Sequence, residues 1–371
     1  MKLLIEKNIL LESLTNVMRA ISPKNIIPIL NGVMFDLKED GLYLTASDSD
    51  LTIRNFIPKE KIKNIAIPGK IVIQSKYLLE IIRKLPSGDI NIEVIDGLKI
   101  IISTDKTIYN LNCLDTADYP DINLEEVENP IVINSTTLKQ AFNKTLFAVS
   151  TQESRPILTG INLKINGNVM ECVATDSYRL AKKTITLDNA YDSRDIVIPG
   201  KNINELDKLI TDESDVEIHV FNNKIVFKYM NYIFQSSLLS GSYPNTNNLI
   251  PTKFEFVITT SLNDYYNAID RAALLTQNKD KNIIKMETNN TELLISSYAS
   301  EIGKSEESIL INKSTEQDIS ISFSSKYMID ALKTFEDEEL IIFLNNDSSP
   351  IILKSAKDET LIQLILPIKT Y

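Results

Sequence analysis

Apolar and polar residues alternate along most of the chain, and stretches of helical spacing interrupt the alternation at regular intervals. Three of these stretches are versions of one segment: IVIQSKYLLEIIRKL (71–85), IVIPGKNINELDKLI (196–210) and ISFSSKYMIDALKTF (321–335). In each, a β-branched run leads through Ser or Gly to a lysine and then to apolar residues at helical spacing, so a strand passing into a helix is predicted three times. The lysines, Lys76, Lys201 and Lys326, are spaced 125 residues apart both times. A second helix precedes each of them. Leu10, Leu14, Val17 and Ile21 fall on one helix face, Leu262, Tyr266, Ile269 and Ala273 repeat the spacing, and Leu138, Phe142 and Val149 repeat it with Thr145 in the third slot.

Between the helices, runs such as GVMFDL, LYLTAS, LTIRNFI, INIEVI and LKIIIST alternate and end at Asn, Asp or Gly, as antiparallel strands do. PILNG (28–32) answers PILTG (156–160), YLTASDSDLTI (43–53) answers MECVATDSYRL (170–180), and Tyr119-Pro120 answers Tyr243-Pro244. The chain is therefore a triplication. Its predicted fold class is α+β: three repeated domains, each with two helices on antiparallel sheets. Polar, proline-bearing stretches near Asn129-Pro130 and Ile250-Pro251 place the domains at 1–128, 129–251 and 252–371.

Composition removes several function classes. Only 10 of 371 residues are glycine, and no GxGxxG or Walker A spacing occurs, so glycine-rich phosphate loops are not expected. The net charge of −11 repels nucleic acid over the surface as a whole, so any DNA contact needs lysines and arginines gathered on one face. No run approaches 18 apolar residues, and Glu6, Lys7 and Glu12 break the opening apolar stretch, so neither a membrane span nor a signal peptide is expected. Cys113 and Cys172, without a CxxC, read as buried small apolar side chains in a reducing compartment.

Catalytic chemistry is hard to assemble. A single histidine, His219 in the alternating run VEIHVF, cannot build a triad or a multi-histidine metal site, and reads as a strand residue facing solvent or a satisfied partner. The carboxylates of SDSD (47–50) and TDS (175–177) admit an alternative reading, a triplicated metal-dependent enzyme using Asp48, Asp50 and Asp176 with Mg²⁺. Both stretches lie where one strand ends and the next begins, where Asp and Ser form turns, and the turn reading is preferred.

VATDSYRLA (173–181), SRPILTG (154–160), SYPNTNNLIP (242–251), DRAALL (270–275), SKYMIDAL (325–332) and QLILPIKTY (363–371) resemble the β sliding clamp family of bacterial DNA polymerase III. The likeness runs the length of the chain and is closest to the low-GC Gram-positive and mollicute versions. It implies a non-catalytic processivity factor of the polymerase III holoenzyme with no cofactor. Two chains would join head to tail as a homodimer ring, encircling double-stranded DNA without reading its sequence. Short linear motifs of the replicative polymerase, the clamp loader and repair proteins would dock on it, in the cytoplasm at the nucleoid, without a membrane.

The resemblance also assigns residues. Lys76, Lys201 and Lys326, with Arg83 and Lys84, are candidates to face the DNA, and Lys24, Gln152 and Arg155 match family positions that contact it. A partner-peptide pocket between the second and third domains would be lined by Leu158, Thr175, Ser177, Tyr178, Arg179, Leu180, Pro244, Asn248, Leu249, Pro350, Leu364, Leu366, Pro367 and Ile368. Tyr178 and Asn248 stand where some relatives carry a histidine and an arginine. Leu364, Leu366 and Ile368 alternate, so they are expected on one face of an apolar edge strand, with Pro367 at an edge or strand end. At the ring interface Tyr109 and Leu111 of the first domain would meet Leu274 and Leu275 of the partner's third, with Lys99 and Lys106 opposite Glu301, Glu306 and Glu307.

Overall fold

The six helical stretches fold as six α-helices, two per repeat: α1 (Lys7–Val17), α2 (Ser75–Lys84), α3 (Ser135–Leu146), α4 (Gly200–Leu209), α5 (Leu262–Ala273) and α6 (Ser325–Leu332). The computed structural model describes residues 1–25, 27–276 and 282–369. In every repeat the strand before the first helix pairs antiparallel with the strand after the second, giving Glu6↔Asp89, Asn134↔Asp215 and Ser261↔Glu339. The first helix of each repeat is pinned to the loop beyond the second: Lys7 N donates to Gly88 O, Ser135 N to Ser214 O and Leu262 N to Glu338 O, at 2.9, 2.8 and 2.8 Å.

Leu10, Leu14 and Val17 are buried on α1 as their spacing requires. On α5 the buried stripe is Tyr265, Ala268, Ile269, Ala272 and Ala273, whereas Leu262 and Tyr266 are only partly buried. The predicted face is thus rotated toward the small alanines. The PILNG and PILTG tags have a steric cause. A Cβ on Gly160 would lie 2.5 Å from Ile198 O, and one on Gly32 would lie 2.5 Å from Val72 Cγ1, so both positions need glycine.

The chain divides into two compact units, 1–138 with 201–238, and 139–200 with 239–371. In the first, one sheet of thirteen strands runs from the first repeat into the second, through Leu51–Pro58 paired with Tyr232–Ser237. In the second, a seven-stranded sheet joins the long hairpin Gly160–Thr175/Arg179–Pro199 to Leu361–Ile365, and a four-stranded sheet completes the third repeat. The second repeat therefore shares a sheet with each neighbour. Backbone ladders cross both repeat boundaries, at Tyr232–Ser236 with Leu51–Asn55 and at Arg179–Lys183 with Leu361–Ile365.

The last strand corrects one expectation. Leu361–Ile365 is an interior strand, paired with Arg179–Lys183 on one side and Ile351–Leu353 on the other, and it stops at Ile365. Leu366, Pro367 and Ile368 continue beyond it, so Leu364 is buried while Leu366 is exposed. Proline at a strand end, rather than on a strand edge, is what the ladder tolerates here.

Asp358 ties the second repeat to the third. It accepts from Lys183 Nζ at 2.7 Å and from Thr360 Oγ1 at 2.6 Å, and lies 3.4 Å from Lys144 Nζ. Burial alone would raise its pKa, but the hydrogen bonds from Lys183 and Thr360 and the two lysine charges outweigh it and bring the carboxyl to about 2. A carboxyl depressed in the folded state stabilises it above the unfolded pKa, roughly 3.9, and loses that contribution as pH falls toward 2. Asp358→Asn should lower stability by about 1–3 kcal/mol at pH 7, and the difference from the parent should shrink below pH 4 in denaturant titrations. A difference independent of pH would mean the carboxylate charge is not what holds the lysines.

Both cysteines are buried, and burial pushes the Cys113 thiol up to about 11 and the Cys172 thiol up to about 12. Neither is a reactive thiolate at neutral pH. His219 is buried rather than solvent-facing, with its Nδ1 accepting from Val127 N at 3.0 Å and its Nε2 lying 3.4 Å from Glu217 Oε2. Burial, then the charge of Lys228, lowers its pKa and keeps it neutral.

Candidate functional site

The turn between Thr175 and Arg179 is built by its own side chains. Asp176 Oδ1 accepts from Tyr178 N and Arg179 N, both at 3.0 Å, and Ser177 takes φ +78° at the apex. Thr175 Oγ1 donates to Arg179 O at 2.6 Å and accepts from Ser177 N at 3.1 Å. The SDSD turn is the same device. Asp48 Oδ1 accepts from Asp50 N and Leu51 N at 3.1 and 2.8 Å, and Ser49 takes φ +77°. The recurring carboxylates are thus turn acceptors, and Asp50 faces Lys201 Nζ at 3.1 Å. Among the described residues no three His, Cys, Asp or Glu side chains gather as metal ligands.

Arg179 anchors the turn to the third repeat. Its Nε reaches Asp176 Oδ2 at 3.0 Å and its guanidinium donates to Asp330 Oδ2 of α6 at 2.7 Å. The guanidinium also lies over the rings of Phe147 and Tyr327, at 5.2 and 4.6 Å from their centroids. Tyr178, 60% exposed, stacks on Tyr327 with centroids 6.3 Å apart.

The last strand runs alongside this turn. Leu180 stands opposite Leu364, and Leu366 N donates to Tyr178 O at 2.9 Å. Leu180 and Leu364 are buried with Val173 and Ile352, against which Tyr243, Ile250, Phe254 and Phe343 pack. Tyr243 Oη accepts from Thr175 N at 3.1 Å, which brings the Pro244–Leu249 loop to the turn. Tyr178, Pro244, Asn248, Leu249 and Leu366 are exposed around this buried floor, and Pro350, Pro367 and Ile368 are half-buried. Leu158, Thr175 and Arg179 are buried, and Ser177 is exposed. Arg155, expected to face DNA, has a guanidinium nitrogen 3.5 Å from Ser177 Oγ.

The junction between the first two repeats has the same backbone frame with different side chains. Ser237 N donates to Asp50 O at 2.8 Å as Leu366 N does to Tyr178 O, but Thr52 stands opposite Gln235 where Leu180 stands opposite Leu364. An ion pair, Arg19 with Glu205 at 3.5 Å, takes the place of Arg179 with Asp330. Only the second junction presents aliphatic side chains over an aliphatic floor, which is the character a peptide groove requires.

Lys76, Lys201 and Lys326 are each the second residue of their helix, α2, α4 and α6, and all three are exposed. A cation in the first turn is unfavourable toward the helix dipole, so helix stability does not account for its recurrence. Lys24, Arg83, Lys84 and Gln152 are also exposed, and Arg83 pairs with Glu80 on the same helix.

Two of the open strand edges carry residues expected at the ring interface. Ile108–Leu114 pairs along Lys99–Ser103 on one side but on the other only at Cys113 and Leu114, leaving Tyr109 and Leu111 on a free edge. Gly303–Leu310 is one of the two outer strands of the four-stranded sheet. Near it, Leu274 is 63% exposed and Leu275 half-buried, and Tyr298, Ile302 and Leu310 are exposed. Lys99, Lys106 and Glu301 are exposed, whereas Glu306 pairs with Lys304 and Glu307 is held by Arg271 through two hydrogen bonds.

Tyr327, Phe147, Asp330 and Tyr243 join the site without having been expected there. Tyr327 carried one signal, its place directly after the repeated lysine, and Tyr243 another, its recurrence with Tyr119. Phe147 and Asp330 carried none.

Family profiles described as DNA polymerase III beta subunit match residues 1–124 (N-terminal domain), 132–245 (central domain) and 247–369 (C-terminal domain). The chain is 41% identical to the beta sliding clamp of Bacillus subtilis (strain 168) and 37% identical to that of Staphylococcus aureus (strain Mu50 / ATCC 700699), each over 100% of both chains. The crystal structure of the B. subtilis DNA polymerase sliding clamp superposes with a TM-score of 0.96 at 40% identity. That of the DNA polymerase III beta chain of Streptococcus pneumoniae TIGR4 gives 0.96 at 34%, and both comparisons cover 100% of each chain. The metal-dependent enzyme is not supported, and the chain belongs to the beta sliding clamp family of DNA polymerase III, a family of non-catalytic processivity factors.

Proposed function

We propose that two copies of this chain close head to tail into a ring around duplex DNA, in the cytoplasm at the nucleoid, and carry the replicative polymerase along it. The open edge at Tyr109 and Leu111 and the outer strand Gly303–Leu310, with Leu274 and Leu275 beside it, supply the two different surfaces of a heterologous contact that closes. Lys99 and Lys106 then meet Glu301, with Glu306 and Glu307 already engaged within their own chain. Rim charges of this kind set register more than affinity.

Lys24, Lys76, Arg83, Lys84, Gln152, Arg155, Lys201 and Lys326 face the DNA in this reading. A few cations on a chain of net charge −11 suit a ring that holds DNA by enclosure, because each neutralised phosphate adds affinity through counterion release and would slow sliding. The groove at the turn Thr175–Leu180 and the segment Leu364–Ile368 receives a short apolar peptide from the polymerase, the clamp loader or repair proteins. Two domain boundaries, after residues 128 and 251, divide the chain into three domains and complete the assignment.

The observation that carries this reading is the placement of exposed Tyr178, Leu249 and Leu366 over the buried Leu180–Leu364 pair, at the one junction whose floor is aliphatic. Primed circular DNA synthesis with a matched polymerase and loader tests it. Products should lengthen severalfold when the chain is added, and unchanged product length would contradict the assignment.

A further inference from the structure

Two of the cations assigned to the DNA path carry an acid of their own. Lys201 Nζ lies 3.1 Å from Asp50 Oδ2, and Arg83 is paired with Glu80 one turn earlier on α2. Neither acid is explained by the fold. Both pairs are more than half exposed, with side-chain exposures of 62% and 59% for Lys201 and Asp50 and 53% and 52% for Arg83 and Glu80, and exposed pairs add little stability. The turn at 47–50 is made by Asp48, whose Oδ1 accepts both backbone donors, so the Asp50 carboxylate is not needed to form it. At the matching place in the second repeat stands Tyr178, beside the groove, so the turn itself does not demand an acid there.

We propose that Asp50 and Glu80 attenuate DNA binding: each cancels the field of a DNA-facing cation, so that the ring encloses the duplex without gripping it. The inference rests on the assignment of Lys201 and Arg83 to the DNA path. A carboxylate in contact with an ammonium or guanidinium leaves almost no net charge to be felt at the Debye length, about 8 Å at physiological salt. Such a pair releases few counterions when a phosphate comes near. Without its acid, the same cation neutralises a phosphate fully and steepens the salt dependence of log K by roughly 0.9.

The test uses the full-length protein and a linear DNA duplex, with log K measured against log salt concentration. Asp50→Asn with Glu80→Gln should steepen the slope by about one to two and tighten binding about tenfold or more at low salt. Adding Lys201→Gln and Arg83→Gln should abolish the gain. Asp188→Asn with Glu359→Gln, two exposed acids changed to give the same net charge, should keep the parental slope. If this control steepens the slope equally, net charge and not pairing is responsible, and the proposal fails. If the Asp50/Glu80 variant keeps the parental slope while Lys76→Gln with Lys326→Gln flattens it, the attenuation fails and the DNA-facing assignment stands. If the lysine variant also leaves the slope unchanged, the assignment itself falls and the attenuation with it.

Discussion

Removing residues 367–371 is expected to weaken binding of a polymerase-derived clamp-binding peptide by about 2–4 kcal/mol, roughly 30- to 1,000-fold, while leaving the chain folded and dimeric. The fold should survive because Leu361–Ile365 keeps ladder partners on both sides and Leu366 keeps its bond to Tyr178 O. What disappears from the proposed groove is Pro367 and Ile368, with the 2.7 Å bond from Ile368 N to Ser322 O that fixes this segment. Thr370 and Tyr371, the last two residues of the family-like tail, lie outside the described residues. Titration of a labelled peptide against full-length and shortened chains decides the matter. Equal affinities would show that this end of the chain does not form the pocket.

Leu274→Ala with Leu275→Ala is expected to convert the dimer to folded monomers. Leu274 follows the last turn of α5 and projects into solvent in the single chain, so its loss leaves no core cavity. In the proposed ring its apolar surface is buried on association, where a few central side chains would carry most of the adhesion. The pair should therefore cost dimerisation about 3 kcal/mol or more, over a hundredfold in Kd, with little change in Tm. Sedimentation at micromolar concentration reads the outcome, and a dimer as tight as the parent would place the interface elsewhere.

The parts of this architecture legible from sequence are those written in local period. Helical spacing located six helices, and the even recurrence of Lys76, Lys201 and Lys326 placed each at the same position of its helix. Turn chemistry was equally readable, since Asp48 and Asp176 act on backbone groups two and three residues away. Long-range pairing left no such trace. Nothing in LIQLI states that it lies between Arg179–Lys183 and Ile351–Leu353, so an interior strand read as an edge. The bracing of Arg179 by Phe147, Tyr327 and Asp330 likewise spans up to 151 residues and joins side chains with no shared motif. Glu306 and Glu307 illustrate a further limit, because charge complementarity read along the sequence cannot show that Lys304 and Arg271 already occupy them.

Enclosure of the duplex is tested most directly by retention on DNA of defined topology. Protein loaded onto a nicked circle at moderate salt should remain bound through gel filtration and leave when a single restriction cut linearises the circle. Equal retention on circular and linear DNA would contradict enclosure and point to a surface grip that this chain, with its net charge of −11, is poorly made to provide.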